Sequence, residues 1–138
     1  MPATKSEGTR FHFDNVYNSA PLGAGAFYLY QIGDISCEGG YIGPVHRQIC
    51  NEISYIASGS GEFICDNISY PVKRGDLFIN RIGEEHYTKS STYDPLRFFY
   101  VGFSFNDSPE ITSHYSDVIN LFQNRRMPVI QYRGYSVR

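Results

Sequence analysis

Apolar and polar residues alternate along most of the chain, in short runs that turn-forming residues separate. The clearest run is RFFYVGFSF, residues 97–105. One parity of this run holds Phe99, Val101, Phe103 and Phe105, and the other holds Phe98, Tyr100, Gly102 and Ser104. Because successive side chains of a β-strand point to opposite faces, this period of two predicts a strand with an apolar core side and a mixed aromatic and polar pocket side.

Similar runs predict a succession of strands along the rest of the chain. Their expected bounds are 27–38, 48–58, 61–65, 68–72, 76–79, 85–92 and 96–105. The links SGSG, DN, KRGD, RIGE and YDP are rich in residues that favour turns. Because no helical pattern lies between these strands, the order favours an all-β sandwich or barrel over a parallel α/β sheet.

One segment after these strands has helical periodicity instead. Ser108 is a favourable N-cap, Pro109 suits the first helical position, and Glu110 lies in the first turn. An apolar stripe follows at helical spacing, formed by Ile111, Tyr115, Val118, Ile119 and Phe122. We predict an amphipathic helix that docks on the β domain and takes part in a homodimer contact.

The pattern divides the chain into three parts. Residues 1–20 form an N-terminal arm, in which residues 1–10 are polar and residues 11–18 are rich in aromatic side chains. Residues 21–106 form the β domain, which begins with a Gly-rich loop at residues 20–26. Residues 107–138 form the C-terminal helix and tail.

Composition and charge narrow the possible functions of this domain. The 138 residues are 41% hydrophobic and 16% aromatic, which allows one real core and excludes a disordered chain. A formal net charge of -2 means that the chain lacks the overall positive charge that is typical of nucleic-acid-binding domains. The three cysteines form no CxxC pair, and no apolar run suits a signal peptide or a membrane span. We expect a reduced, cytoplasmic protein without a disulfide framework and without a membrane partner.

The segment GPVHRQICNE, residues 43–52, brings histidine and carboxylate chemistry together. On a single strand, His46, Gln48, Cys50 and Glu52 share one parity. His86 follows the turn RIGE and would approach them if the two strands pair. Two histidines and a glutamate around an open position form a workable catalytic metal site.

The same spacing resembles the first motif of the cupin superfamily. That motif has His-x-His, three or four residues, Glu, six residues and Gly. Here His46, Glu52 and Gly59 keep the frame, whereas Gln48 stands where the family has its second histidine. Because a neutral amide is a weak ligand for a transition metal, the resemblance implies a barrel whose metal site is eroded.

The second cupin motif is similar to residues 75–90. Gly75, Gly83 and His86 keep its frame, while Arg81 replaces a proline and Ser90 an asparagine. The conserved frame implies a cupin-type double-stranded β-helix, a jelly-roll barrel, followed by the C-terminal α-helix. We expect the turn glycines, which include Gly59, to need a positive φ or a close approach of the backbone.

A narrower resemblance covers residues 51–105, which look like the N-terminal sensing domain of AraC-type transcription regulators. The matching pieces are Glu52, Tyr55-Ile56, Gly59, Gly61, Gly75-Asp76-Leu77, His86-Tyr87 and the aromatic strand 98–105. In that family the barrel holds a small effector, often a sugar, without a metal. An N-terminal arm covers the ligand, and helices after the barrel make a dimer. We expect DNA binding only through a helix-turn-helix domain, which residues 1–138 do not contain.

The resemblance implies a ligand site and no cofactor. The expected ligand-binding residues are Arg47, Glu52, Tyr55, His86, Thr88 and Tyr100. Tyr55 and Tyr100 are candidates for stacking on a sugar ring, and Phe11, His12 and Phe13 are candidates for the arm. This interpretation makes the chain a sensing module and not an enzyme.

Two enzymatic alternatives remain open at this point. The first is a cupin metalloenzyme, an isomerase or dioxygenase, that uses His46, Glu52 and His86 as metal ligands. The second is a metal-free sugar isomerase, with His86 or His46 as the base and Glu84, Glu85 or Glu52 as the acid.

Overall fold

The computed structural model describes residues 8–124 and 128–131, which fold into two antiparallel sheets. The larger sheet has the order β1-β3-β10-β5-β8-β11, with β2 paired to β3. Its strands are β1 (Thr9–Val16), β2 (Leu22–Ala24), β3 (Phe27–Cys37), β5 (Asn51–Ser58), β8 (Leu77–Asn80), β10 (Arg97–Phe105) and β11 (Val129–Ile130). The smaller sheet has the order β4-β9-β6-β7. Its strands are β4 (His46–Arg47), β6 (Ser60–Cys65), β7 (Ile68–Lys73) and β9 (Glu85–Ser90).

The core lies between the facing surfaces of these sheets. Phe63 of the smaller sheet packs against Phe78 and Phe98 of the larger one, with ring centroids 4.7 Å and 5.1 Å apart. Ile56 and Leu96 are fully buried beside them. Each such side chain contributes about 1.5–3 kcal/mol by leaving water, so this cluster holds the two sheets together.

The turn glycines behave as the motif frame predicts. Gly59, Gly75 and Gly83 all have a positive φ, at 79°, 91° and 89°. A Cβ on Gly59 would also lie 1.9 Å from the carbonyl oxygen of Pro95. At this position both the backbone conformation and the close approach of a neighbouring chain segment require glycine.

The predicted strand 48–58 begins three residues later, at Asn51. The amide of Gln48 donates to the carbonyl of Glu84, and the amide of Gly83 donates to the carbonyl of Gln48. Because its backbone is bonded to Gly83 and Glu84, Gln48 does not belong to β5. His46 therefore lies on β4 in the smaller sheet and Glu52 on β5 in the larger sheet, so the two do not share a strand.

Residues 11–18, the expected arm, lie mostly in an edge strand. β1 pairs with β3 along its length, from Thr9 opposite Cys37 to Val16 opposite Gln31. The expected loop 20–26 also contains β2. Residues 1–7 of the arm lie outside the described part of the chain.

The C-terminal segment is helical, as predicted, but it is divided into α1 (Pro109–His114) and α2 (Ser116–Asn124) at Tyr115. The Ser108 hydroxyl accepts a hydrogen bond from the Ile111 amide and caps α1. Phe122 of α2 packs on Phe103 and Phe105, with centroids 5.4 Å and 5.9 Å away. The helix therefore docks on the larger sheet. Within residues 8–124 and 128–131, no helix has both the length and the apolarity to cross a membrane.

Candidate functional site

A cavity of about 360 Å³ opens between the two sheets. Every strand that faces it contributes a polar or aromatic side chain. The polar lining residues are His12, Asp14, Gln31, His46, Glu52, His86, Thr88 and Tyr100. The aromatic lining residues include Tyr41, Phe63, Tyr87 and Phe98. The cavity thus combines ring faces with hydrogen-bonding groups, as small-molecule sites do.

Two histidines meet at one wall of the cavity. β4 pairs with β9 so that His46 lies opposite His86, and their Nε2 atoms are 2.7 Å apart. His46 Nδ1 lies 3.1 Å from the Pro44 carbonyl oxygen, which only accepts, so Nδ1 carries the proton of His46. His86 Nε2 is then the donor, shared between His46 Nε2 and the Gln48 Oε1 atom at 2.9 Å. This chain of bonds leaves His86 Nδ1 as a bare acceptor.

The environment of His86 favours its neutral form. Its side chain is only 4% exposed. Burial, and then the neighbouring His46, lower the pKa of His86 from 6.5 to about 4. His86 is therefore uncharged across the physiological range and serves the cavity as a hydrogen-bonding group.

Glu52 is the more buried of the two carboxylates that line the cavity. It is 5% exposed and accepts a hydrogen bond from Gln31 Nε2 at 2.8 Å. Burial raises its pKa, while the neighbouring Gln48 amide and the hydrogen bond from Gln31 act in the opposite direction. Since burial is the larger effect, the protonated carboxyl is favoured more in Glu52 than in an exposed glutamate.

Tyr100 lines the cavity from β10. Its hydroxyl lies 2.6 Å from His12 Nε2, which joins β10 to β1. Its ring crosses β3 at Gly33, where an added Cβ would lie 2.1 Å from Tyr100 Cζ. Burial, followed by the charge of Asp14, raises the pKa of Tyr100, so the phenol keeps its proton. Gly33 thus makes room for a tyrosine that points into the cavity.

Several buried polar atoms in and beside the cavity have no hydrogen-bond partner among the described residues. They include Asp14 Oδ1, Gln48 Nε2 and His86 Nδ1. Gln48 Nε2 is near enough to Glu52 to favour its charged form, but the geometry is poor for a hydrogen bond. Because buried polar groups in folded proteins are nearly always paired, these atoms mark positions that a ligand or water would satisfy.

The structure gathers four of the six expected ligand-binding residues in this cavity: Glu52, His86, Thr88 and Tyr100. It places Arg47 outside, where the guanidinium donates to the Gly83 carbonyl at 2.5 Å and lies 3.7 Å from Glu85. It also places Tyr55 outside. That ring is 42% exposed on the outer face of the larger sheet.

Three cavity residues did not stand out as ligand contacts in the sequence. His12 was a candidate only for the arm, and Asp14 and Gln31 were not singled out. The alternation in FHFD, residues 11–14, places His12 and Asp14 on one face and could have identified both. Gln31 carries no comparable signal, because its role depends on the pairing of β3 with β10.

The three metal ligands of the metalloenzyme alternative do not form a compact set. Within the described residues, the metal-binding atoms of His46, Glu52 and His86 do not all lie within 4.8 Å of one another. His46 and His86 are instead bonded to each other. This arrangement does not fit a three-ligand metal site.

The three candidate acids of the metal-free isomerase do not all lie in the cavity. Glu52 lies in the cavity, but Glu84 accepts hydrogen bonds from the Arg81 amide and Cys65 Sγ, away from it. Glu85 is exposed beside Arg47. Cys65, Asp66 and Glu84 form a compact group of potential metal-binding atoms there.

Comparisons with solved structures identify the fold. KdgF from Halomonas sp. superposes with a TM-score of 0.56 at 13% identity, over 80% of this chain and 91% of that one. The Cnp3 cupin domain from Schizosaccharomyces pombe gives 0.54 at 16% identity, over 78% and 69%. An oxalate decarboxylase with Mn(II) centres from Bacillus subtilis gives 0.57 at 14% identity, over 99% and 41%. The predicted all-β cupin fold is confirmed.

The sequence itself identifies the family. A search among curated protein sequences finds no match. The sequence profile of the AraC-like ligand binding domain matches residues 41–124, which is more than half of the chain and contains much of the cavity wall. The chain therefore belongs to the family of AraC-like ligand-binding domains, as the resemblance of residues 51–105 predicts.

Proposed function

We propose that this chain is the effector-sensing domain of an AraC-family transcriptional regulator. It binds a small, uncharged, sugar-like molecule in a metal-free cavity, and it acts on DNA through a helix-turn-helix domain of a longer chain. The observation that carries this proposal is the composition of the cavity wall. Unpaired polar atoms stand beside aromatic rings, and the described lining residues include no Lys or Arg.

Hydroxyl groups suit the unpaired atoms of the cavity. Asp14 Oδ1 and His86 Nδ1 belong to lining residues and need donors. Each buried group that stays unpaired costs about 1–3 kcal/mol. Because each hydroxyl donates one hydrogen bond, a ring with several hydroxyls serves both atoms without carrying a charge into the cavity.

The apolar walls suit the faces of a sugar ring. Tyr41, Phe63 and Phe98 line the cavity between the polar groups. Sugar C–H groups pack on aromatic faces while their hydroxyls reach polar atoms. A volume of about 360 Å³ is near the lower end of ligand sites, which span about 300–1,000 Å³, and suits a single ring.

The charges of the cavity select against anionic ligands. Asp14 and Glu52 are the carboxylates of the wall. Since no described lining residue is a lysine or arginine, a uronate or a sugar phosphate would enter with its charge unpaired. Neutral sugars should therefore bind more tightly than the corresponding acids.

A matched ligand screen tests this proposal. Isothermal titration of the chain with neutral monosaccharides and their uronic acids should show binding only by neutral compounds. A Glu52→Gln and a Tyr100→Phe variant should weaken that binding, and Tyr93→Ser, which alters a 97% exposed ring, should not. Binding of uronates with no binding of neutral sugars would contradict the proposal.

A metal-free isomerase is the second candidate. The observation that favours it is the presence of Glu52, His46 and His86 in one cavity, where an acid and a base could act on a sugar. Nuclear magnetic resonance of a bound sugar over time distinguishes the two functions. A sensor leaves the sugar unchanged, whereas an isomerase converts it to a mixture.

A further inference from the structure

Gln48 is buried against a cavity histidine, but it is not itself among the described residues that line the cavity. The residue is 5% exposed, and its Oε1 atom lies 2.9 Å from His86 Nε2. His86 does line the cavity, and its Nδ1 atom has no hydrogen-bond partner among the described residues. Gln48 therefore influences a bound ligand through the imidazole of His86.

The contact between His46 and His86 allows two arrangements of protons. In a neutral pair, one of the two Nε2 atoms, which are 2.7 Å apart, must donate and the other must accept. If His86 Nε2 donates, His86 Nδ1 is bare and accepts. If His46 Nε2 donates, the proton of His86 lies on Nδ1, which then donates. The two arrangements therefore offer a ligand opposite hydrogen-bonding groups at the same atom.

Two oxygens that only accept favour the arrangement in which His86 Nδ1 is bare. The Pro44 carbonyl oxygen lies 3.1 Å from His46 Nδ1 and holds the proton of His46 there. Gln48 Oε1 holds the proton of His86 on Nε2. The Pro44 contact is exposed, so water can replace it, whereas Gln48 and His86 are both buried. Because a buried acceptor without a partner costs more than one that water can reach, Gln48 has the stronger effect on the pair.

Glu52 determines which end of the Gln48 amide faces His86. The Gln48 amide favours the charged form of the Glu52 carboxyl and so acts to lower its pKa, as an N–H group does. Turning the amide around would place Oε1 near this carboxyl and Nε2 near His86. Because a carbonyl oxygen is repelled by a carboxylate, the amide keeps Oε1 towards His86.

We propose that Gln48 is a positioning residue that fixes the tautomer of His86, and that the cavity thereby selects ligands that donate a hydrogen bond to His86 Nδ1. The class of ligand is a neutral sugar with a free hydroxyl at this point, and this part of the inference rests on the proposed function. An ether at the same position accepts but does not donate. Its binding should be about 10-fold weaker or more, because His86 Nδ1 stays unpaired.

Nitrogen-15 magnetic resonance of the ligand-free chain measures the tautomer, because protonated and bare imidazole nitrogens have well separated chemical shifts. The signals of His86 are assigned by their loss in His86→Gln. In the wild-type chain near neutral pH, Nε2 should carry the proton and Nδ1 should be bare. Gln48→Met removes the acceptor at a similar side-chain length and should give a mixture of both tautomers. A proton on Nδ1 in the wild-type chain overturns the proposal, and so does an unchanged tautomer in Gln48→Met.

Two further variants separate the tautomer from a general disturbance of the cavity. Gln31→Met makes the same change at the amide that donates to Glu52, and it should leave the tautomer of His86 unchanged. Gln48→Glu keeps an acceptor oxygen and should keep the proton on Nε2. It also provides a test if Gln48→Met does not fold. A mixture of tautomers in Gln31→Met or in Gln48→Glu counts against the assigned role of Gln48.

A ligand series tests the consequence for specificity. Glucose, galactose and mannose, each with its mono-O-methyl ethers, are titrated into the wild-type and Gln48→Met chains. For a sugar that binds, one ether should bind the wild-type chain about 10-fold more weakly, and Gln48→Met should reduce this difference. The bulk of the methyl group is the same in both chains, so a ratio that does not change contradicts the proposal. If none of these sugars binds, the proposed function fails, while the tautomer measurement still decides the role of Gln48.

Discussion

His46 and His86 are hydrogen-bonded to each other through their Nε2 atoms, at 2.7 Å, in the wall of the ligand cavity. The bond depends on the pairing of β4 with β9, which sets the two residues directly opposite. Gln48 shares the donor of His86 at 2.9 Å. The residue that replaces the second motif histidine thus takes part in a hydrogen-bond network.

Acid should destabilise the fold through His86. Its pKa is about 4 in the folded chain and 6.5 when unperturbed, so the unfolded chain binds more protons between these values. The stability that the neutral form contributes is present above pH 6.5 and is lost as the pH falls towards 4. The loss amounts to about 2–3 kcal/mol. Urea unfolding from pH 7 to pH 4 measures it, and His86→Gln should show a shallower dependence. An equally steep profile in the variant would assign the loss to other groups.

Glu52 should make the fold less stable as the pH rises, which is the opposite of the effect of His86. Its pKa is raised in the folded chain, chiefly by burial, so the folded state holds its proton more tightly than the unfolded state. The stability linked to this group is present at low pH and is lost as the pH rises through the folded pKa. Glu52→Gln should therefore raise the thermal midpoint by a few degrees at pH 8, and the gain should shrink as the pH falls towards 4. A gain that grows in acid would contradict this account of Glu52.

Gly33→Ala should disturb the wall that Tyr100 forms. The new methyl would lie 2.1 Å from Tyr100 Cζ, so the ring must move and its contact with His12 at 2.6 Å must change. We expect a loss of about 1–3 kcal/mol in chemical denaturation and weaker ligand binding. Gly23→Ala is the matched control on β2, where the nearest atom would be 4.0 Å away. Similar losses in both variants would show that the clash is not the cause.

Alanine substitutions at Gly59 and Gly83 distinguish the stability cost of backbone strain from the cost of a steric clash. Both have a positive φ, but a Cβ on Gly83 meets nothing within 4 Å, whereas one on Gly59 lies 1.9 Å from the Pro95 carbonyl oxygen. Gly83→Ala should cost about 1 kcal/mol, from conformation alone. Gly59→Ala should cost distinctly more or prevent folding. Thermal unfolding of the pair compares them, and equal costs would rule out the close approach as the main constraint.

The alternation in residues 97–105 was enough to predict β10, because the period of a strand is local. It did not predict which face is buried: Phe99 is on the expected core side but is 40% exposed, whereas Phe98 and Tyr100 on the expected pocket side are buried. The start of β5 could not be predicted in this way. Gln48 leaves the strand because its backbone bonds to Gly83 and Glu84, which lie far along the chain.

The alternation of side chains along a strand also explains where the expected site residues lie. Glu52 and Tyr55 have opposite parity on β5, so a strand that points Glu52 into the cavity points Tyr55 outwards. Arg47 likewise alternates with His46 on β4 and faces Glu85. The spacing of the motif residues identified the strand segments near the cavity. The alternation of side chains along each strand then decides which of these residues point into it.

Because Phe99, Tyr100 and Val101 are consecutive on β10, the ligand cavity and the exposed face of the larger sheet are two sides of a single backbone. A molecule that fixes Tyr100 also restricts its two neighbours. Thermodynamic reciprocity then holds for any partner of that face: the factor by which the ligand raises the partner's affinity is the factor by which the partner raises the affinity for ligand. Through this one strand, a ligand bound in the cavity therefore affects side chains on the exposed surface of the domain.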